Sequence, residues 1–258
     1  MIEIFLDQLS VPKSCELNKS VYKKYFLQDG ILDATDKKTL KEDVGKIRWL
    51  YTLKPSTINI SPYIDEERDY PEVAILHTEL LSPGRVKRIA SFMQRSIPYP
   101  LVLLFSHKNA LSFSLAEKRI NQADKAKWVV EEIYDTKWID LEQPTTQQAD
   151  FLADCKITNF SFSNFLEFYR SIQERVLALN CAAYTGAYEL NNPGTKREAD
   201  VDRSSIRSNL LKELEKLNSV KLEIANQLNK EKQMGKQVEL NTKIKQINDQ
   251  IERTKGNM

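Results

Sequence analysis

Between residues 203 and 258, leucine and isoleucine recur in two stripes that fit helices and little else. Leu210, Leu214, Leu217, Ile224 and Leu228 follow a 4–3–7–4 spacing. That is a heptad seam with Lys221 in one core position. Leu240, Ile244, Ile247 and Ile251 repeat at 4–3–4. The stripes do not share a register, because Leu228 and Leu240 are 12 residues apart, two short of two heptads. Met234-Gly235 lies between them, and glycine weakens a helix by about 1 kcal/mol relative to alanine. The pattern predicts either a helical hairpin turning near residues 232–236 or one long helix with a local break. Two such helices bury too little to stand alone, so a partner chain, a second copy or the rest of the protein must cover the seam.

Upstream the periodicity changes repeatedly. Residues 19–28 are expected as a short amphipathic helix. A second helix is expected to run from caps at Asp33, Thr35 and Asp36 to Pro55, because Leu40, Val44, Ile47 and Tyr51 recur on one helical face. Thr57–Ser61 alternates like a strand, and so does the longer run at residues 72–81. Ser82-Pro83 is a helix start, with Val86, Ile89, Ala90, Met93 and Ile97 as the buried stripe. Leu101–Phe105 is continuously apolar, as in a strand buried on both faces. Ala110–Leu115 should pair antiparallel with it, and residues 128–134 and 137–141 add strands. Helices are expected over 145–155 and from a cap at Ser161 or Ser163 to about Ala183.

The expected fold is therefore mixed α/β: a mixed sheet of about five strands, flanked by helices. It includes a parallel strand–helix–strand crossover between Glu72 and Phe105. The domain spans 1–186, a polar linker broken by Pro193-Gly194 spans 187–202, and the helical tail spans 203–258.

Composition narrows the chemistry. Of 258 residues only 7 are glycine, and neither GxxxxGK[ST] nor GxGxxG is present. Three scattered cysteines suit neither a disulfide framework nor a four-ligand zinc site. With no basic, apolar leader and no run long enough to span a membrane, a cytoplasmic protein without a membrane contact is expected. No cofactor is expected. The tail carries 12 Lys and Arg against 7 Asp and Glu, while the rest carries 26 against 29. A basic tail on a slightly acidic body suggests an anionic partner.

Two sets of residues invite functional assignment. The helix, strand pair, helix, strand order is that of restriction-type nuclease folds, whose chemistry needs an Asp and an acidic-x-Lys pair around magnesium. Asp65 and Glu79 are spaced for it, but Leu81 stands where the lysine belongs. A metal-dependent or degenerate nuclease is thus the alternative to a non-enzymatic role. The basic residues Arg85, Lys87, Arg88 and Arg95 lie on one helix face and could contact DNA phosphates. Lys118 and Arg119, in a polar-basic cluster after a strand, could join them. His77 and His107 are the only histidines, and no nucleophile motif accompanies them.

The segments KIRWLYTLKPSTINI, IPYPLVLLF, LSFSLAEKRINQADK, ERVLALNCA and QVELNTKIKQI occur in order. Together they resemble a bacterial family, the domain of unknown function four-three-nine-one, over about residues 10–255. The resemblance implies a locus shared with DNA methyltransferases and superfamily-two helicases, of restriction or phage-defence type. It carries over no catalytic residue. The function expected is a non-enzymatic accessory or scaffold subunit of a DNA-targeting defence complex. Its tail would dock a helicase or methyltransferase through the two stripes.

Overall fold

A computed structural model of the protein describes residues 2–28, 30–124, 128–190 and 198–258. The elements run in order α1 (Ile2–Leu9), β1 (Glu16–Ser20), α2 (Lys23–Gln28), α3 (Ala34–Glu42), β2 (Val44–Leu53), α4 (Pro55–Ile58), β3 (Tyr63–Ile64), β4 (Asp69–Tyr70), β5 (Val73–Leu80), α5 (Val86–Ser96), β6 (Leu101–His107), β7 (Ala110–Ile120), β8 (Trp128–Asp135), β9 (Ile139–Asp140), α6 (Thr146–Asp154), α7 (Phe165–Thr185), α8 (Glu198–Leu228) and α9 (Met234–Gly256). Two compact units result, residues 1–176 and 177–258. The division falls inside α7 rather than within 187–202. α8 begins inside that expected linker, and residues 191–197 lie outside the described residues.

The first unit is built on a seven-stranded mixed sheet in the order β1-β2-β5-β6-β7-β8, with β9 also paired to β7. β5 and β6 are parallel and joined through α5, as the crossover pattern predicted. The other pairs are antiparallel. Alternation sends Ala74, Leu76, Leu101, Leu103 and Phe105 to one face, where Ile89, Phe92 and Met93 of α5, Leu40 of α3 and Phe26 of α2 cover them. Ile75, Val102, Leu104 and Phe113 face the other way, towards Leu9, Cys155, Ile157, Phe168 and Ile172. Tyr169, fully buried on α7, donates its hydroxyl to Leu101 O and accepts from Ala116 N–H, each at 2.9 Å. One phenol thereby fastens α7 to both β6 and β7.

Several sequence expectations need correction. The helix expected from residue 33 to Pro55 ends at Glu42, and Val44, Ile47 and Tyr51 lie on strand β2. The buried positions of β2 are Val44, Ile47, Leu50 and Leu53. That spacing imitates a helix because the pairing to β5 is irregular between Val44 and Ile47 and again between Trp49 and Tyr51. Each extra residue converts a step of two into a step of three, which accounts for the steps from Val44 to Ile47 and from Ile47 to Leu50. Gly45 sits in the first irregularity, where a Cβ would lie 3.0 Å from Glu79 O.

Residues 57–61 form no strand. Pro55 opens a single helical turn, and Thr57 Oγ1 accepts from Lys54 N–H at 2.9 Å. α5 starts at Val86 rather than at Pro83, with Arg85 as its N-terminal flank and no side-chain cap. Lys118 and Arg119 lie within β7, which extends to Ile120. At α7 the N-terminal bond comes from neither serine: Asn164 Oδ1 accepts from Glu167 N–H at 2.9 Å.

In the second unit α8 and α9 form a helical pair joined through residues 229–233. Leu214, Ile247 and Ile251 are its buried centre, flanked by Leu217 and Ile224. The hairpin alternative is therefore the one that forms. Its break precedes Met234, so Gly235 sits in the first turn of α9 rather than at the turn itself.

Candidate functional site

The basic face of α5 meets a row of carboxylates from α3 and its flanks. Arg85 donates to Glu42 Oε2 at 3.0 Å and to Asp43 Oδ1 at 2.9 Å, and its Nε also meets Asp43. Arg88 Nη2 donates to Asp33 Oδ2 at 2.7 Å, and its Nε lies 2.7 Å from Asp36 Oδ1 as an ion pair. Arg95 reaches Asp36 Oδ2 at 3.2 Å. Asp36, only 2 % exposed, thus sits between two guanidinium groups. The Asp33 carboxyl is held below its usual range by the Asp36 N–H and by Arg88. Bonds to Asp43 and Glu42 push the Arg85 guanidinium further up.

This arrangement resolves the conflict of a positive charge at a helix N-terminus: Arg85 is neutralised in place. It also gives the cations of the face internal partners of their own. Three of its four basic residues already satisfy internal carboxylates, and Lys87 alone is exposed without a partner among the described residues. The sequence placed the cations on one face but gave no sign that Asp33, Asp36, Glu42 and Asp43 would stand opposite.

The second basic pair is also occupied. Lys118 is buried, with its ammonium bonded to backbone carbonyls. Arg119 Nε donates to Glu131 Oε1 across β7 and β8 at 2.6 Å.

Asp65 and Glu79 are not brought together. Asp65 closes the β3–β4 turn, accepting from Glu67 N–H, Arg68 N–H and the Tyr63 hydroxyl at 2.6–2.8 Å. The Tyr63 hydroxyl bond, then the Glu67 amide, lower its pKa. That turn is tied to the far end of β7 by Ile120 N–H donating to Glu67 O at 2.7 Å. Glu79 lies opposite Ser106 near the C-terminal ends of β5 and β6. Strand rise puts the two carboxylates roughly 20 Å or more apart. Among the described residues no three His, Cys, Asp or Glu side chains converge as a metal site would require.

His77 has a serine neighbour that sequence could not supply. Its Nε2 lies 2.7 Å from Ser106 Oγ, and its Nδ1 lies 3.5 Å from Arg48 Nη2. Arg48 in turn donates to Glu3 Oε1 at 3.1 Å. Guanidinium can only donate, so Nδ1 accepts and the ring proton on Nε2 is given to Ser106. A catalytic base needs the opposite polarity, taking the proton from serine with a carboxylate behind the ring. Burial, then Arg48, lower the imidazole pKa to about 4, which suits a neutral structural group.

The helical pair places the remaining site residues. Leu214, Ile247 and Ile251 are buried, whereas Leu210, Leu217, Ile224, Leu228, Leu240 and Ile244 are partly covered. Leu211, not singled out by the heptad, packs with Leu177 and Cys181. The centre of the two stripes is therefore packed on itself, with Leu217 and Ile224 beside it.

Outside the seam, Leu222, Met234 and Val238 remain 63 %, 80 % and 62 % exposed. Leu222 lies roughly 100° around α8 from the seam, and Met234 and Val238 lie roughly 100–140° around α9 in the same rotational sense. In an antiparallel pair, equal senses of rotation lead to the same face, so the three project to one side of the helical pair.

No helix among the described residues is long and apolar enough to cross a membrane. No curated protein and no solved structure matches the chain. One family model does, "Domain of unknown function (DUF4391)", over residues 9–251. That match spans nearly the whole sequence and both compact units, and the chain accordingly belongs to the DUF4391 family.

Proposed function

We propose that the protein is a non-catalytic accessory subunit of a DNA-targeting defence complex in the bacterial cytoplasm. Its helical hairpin docks a helicase or DNA methyltransferase encoded beside it. The observation that carries the docking role is the exposure of Leu222, Met234 and Val238 on one side of the helical pair. Exposed apolar side chains gathered on one face favour a covering partner. The seam adds less to this reading, because its centre at Leu214, Ile247 and Ile251 is buried between α8 and α9.

The internal use of the α5 arginines, of Asp65 and of His77 supports a subunit that positions others over one that performs chemistry. Three free, buried thiols are consistent with a reducing compartment.

Co-purification of the neighbouring gene products with the full chain tests the reading. Leu222→Asp, Met234→Asp and Val238→Asp together should abolish recovery of the partner while circular dichroism keeps the helix content. Equal recovery with the triple variant would remove the docking role.

A further inference from the structure

The outer face of α2 carries a second unassigned surface, of different chemistry. α2 buries Phe26 and partly covers Leu27 in the cluster with Leu32 and Leu40, while Lys24 and Tyr25 on it and Tyr22 just before it are exposed. Tyr22 is 62 % and Tyr25 58 % exposed, with ring centroids 6.3 Å apart and planes inclined at 55°. Lys24 Nζ lies 5.4 and 5.5 Å from the two ring centroids, so one cation serves both rings.

The platform is held firmly from below. Val21 N–H donates to Ile47 O at 2.9 Å, and Lys23 Nζ donates to Val44 O, fixing the start of α2 to β2. The surrounding charge is cationic. Residues 13–28 contain Lys13, Lys19, Lys23 and Lys24 against Glu16 alone, within a body whose acids outnumber its bases. Lys13 and Lys19 are exposed, as are Leu17 before α2 and Ile31 after it.

We infer that this face binds single-stranded nucleic acid, with Tyr22 and Tyr25 stacking on bases and Lys24 and Lys19 contacting phosphates. Flat aromatic faces beside mobile ammonium groups match a strand whose bases are free to stack and whose backbone is anionic. A duplex keeps its base faces inside the stack, and an acidic peptide offers charge but no rings. The inference deepens the DNA-targeting role and rests on it for the source of the strand. The contact itself stands on α2 and not on the hairpin.

Fluorescence anisotropy with the full-length chain and a fluorescein-labelled oligothymidylate tests it. The wild type should bind, and binding should weaken steeply with salt as counterions are released. Tyr22→Ala with Tyr25→Ala should weaken it about ten-fold or more, whereas Tyr22→Phe with Tyr25→Phe keeps the rings and should stay within about two-fold. Lys24→Ala should reduce the salt dependence. The hairpin variant carrying Leu222→Asp, Met234→Asp and Val238→Asp should bind the oligonucleotide as wild type does. Lost partner recovery with intact oligonucleotide binding in that variant therefore upholds both proposals. Unchanged partner recovery in it sinks the docking role alone. Three results would overturn the α2 site: no binding at low salt, undiminished binding by the double alanine variant, or equal competition by a duplex or by polyglutamate.

Discussion

Lys118 Nζ, projecting from β7, donates to Ile97 O at 2.6 Å, so a strand lysine closes the C-terminal end of α5. A second bond runs to Tyr99 O at 2.8 Å, in the proline-flanked turn that follows. Carbonyls at a helix C-terminus lack intrahelical donors, and a cation there also meets the negative end of the helix dipole. Among the described residues no carboxylate pairs with this ammonium, and burial lowers its pKa to about 7.

That position has a pH signature. The unfolded chain holds the Lys118 proton up to its ordinary value of 10.5, and the folded chain releases it from about pH 7. Between those limits the unfolded state binds more protons, so stability should rise with pH, by roughly 5 kcal/mol at most. Urea unfolding at pH 7 and pH 9.5 checks it. Lys118→Met should flatten the rise while lowering overall stability, because two buried carbonyls lose their donor.

His77 should act at the opposite end of the scale. Its folded pKa of about 4 lies below the ordinary 6.5, so the unfolded state again binds more protons in between. Stability is then lost as pH falls from 6.5 towards 4, by on the order of 3 kcal/mol. Nuclear magnetic resonance of the ring protons should show a neutral imidazole at pH 6. His77→Gln should lose less stability over that acid window than the wild type does. A ring that titrates near 6.5 would contradict the burial and the Arg48 contact.

The carboxylate row should matter for stability. Asp36→Asn weakens the charge partner of both Arg88 and Arg95 and should destabilise the protein by about 2 kcal/mol, less than a fully buried pair because both arginines are partly hydrated. Lys87→Ala, on the same helix face but unpaired, should change stability by less than about 0.5 kcal/mol. Equal effects at the two positions would mean that α3 does not depend on these pairs.

Leu214 is completely buried in the helical pair. Leu214→Ala should cost about 2–5 kcal/mol and lower amide protection along both α8 and α9. Glu215→Ala, one residue on and exposed, should leave exchange unchanged. Hydrogen exchange followed by mass spectrometry distinguishes the two.

The sequence by itself determined those elements whose pattern is local. The apolar runs of β5 and β6 could be read directly as strands, because both are covered on both faces and bury nearly every residue. The parallel crossover through α5 followed from their order. The 3–4 spacing of Leu214, Leu217, Ile247 and Ile251 likewise demanded helices, and the register break demanded a turn or a local break between them, of which the structure takes the turn.

Tertiary structure alone decided the rest. β2 imitated a helix because two pairing irregularities, visible only once β5 lies alongside, set Val44, Ile47 and Leu50 at steps of three. The α5 arginines looked free because their carboxylates come from α3 and its flanks, some forty to sixty residues earlier in the chain. Charge pairing of that kind depends on which helix faces which, and no local period records it. The same holds for Asp65 and Glu79: short separation along the chain says nothing of distance once a turn and a strand run them to opposite ends of the sheet. Periodicity fixes what a segment buries, whereas only packing fixes what it meets.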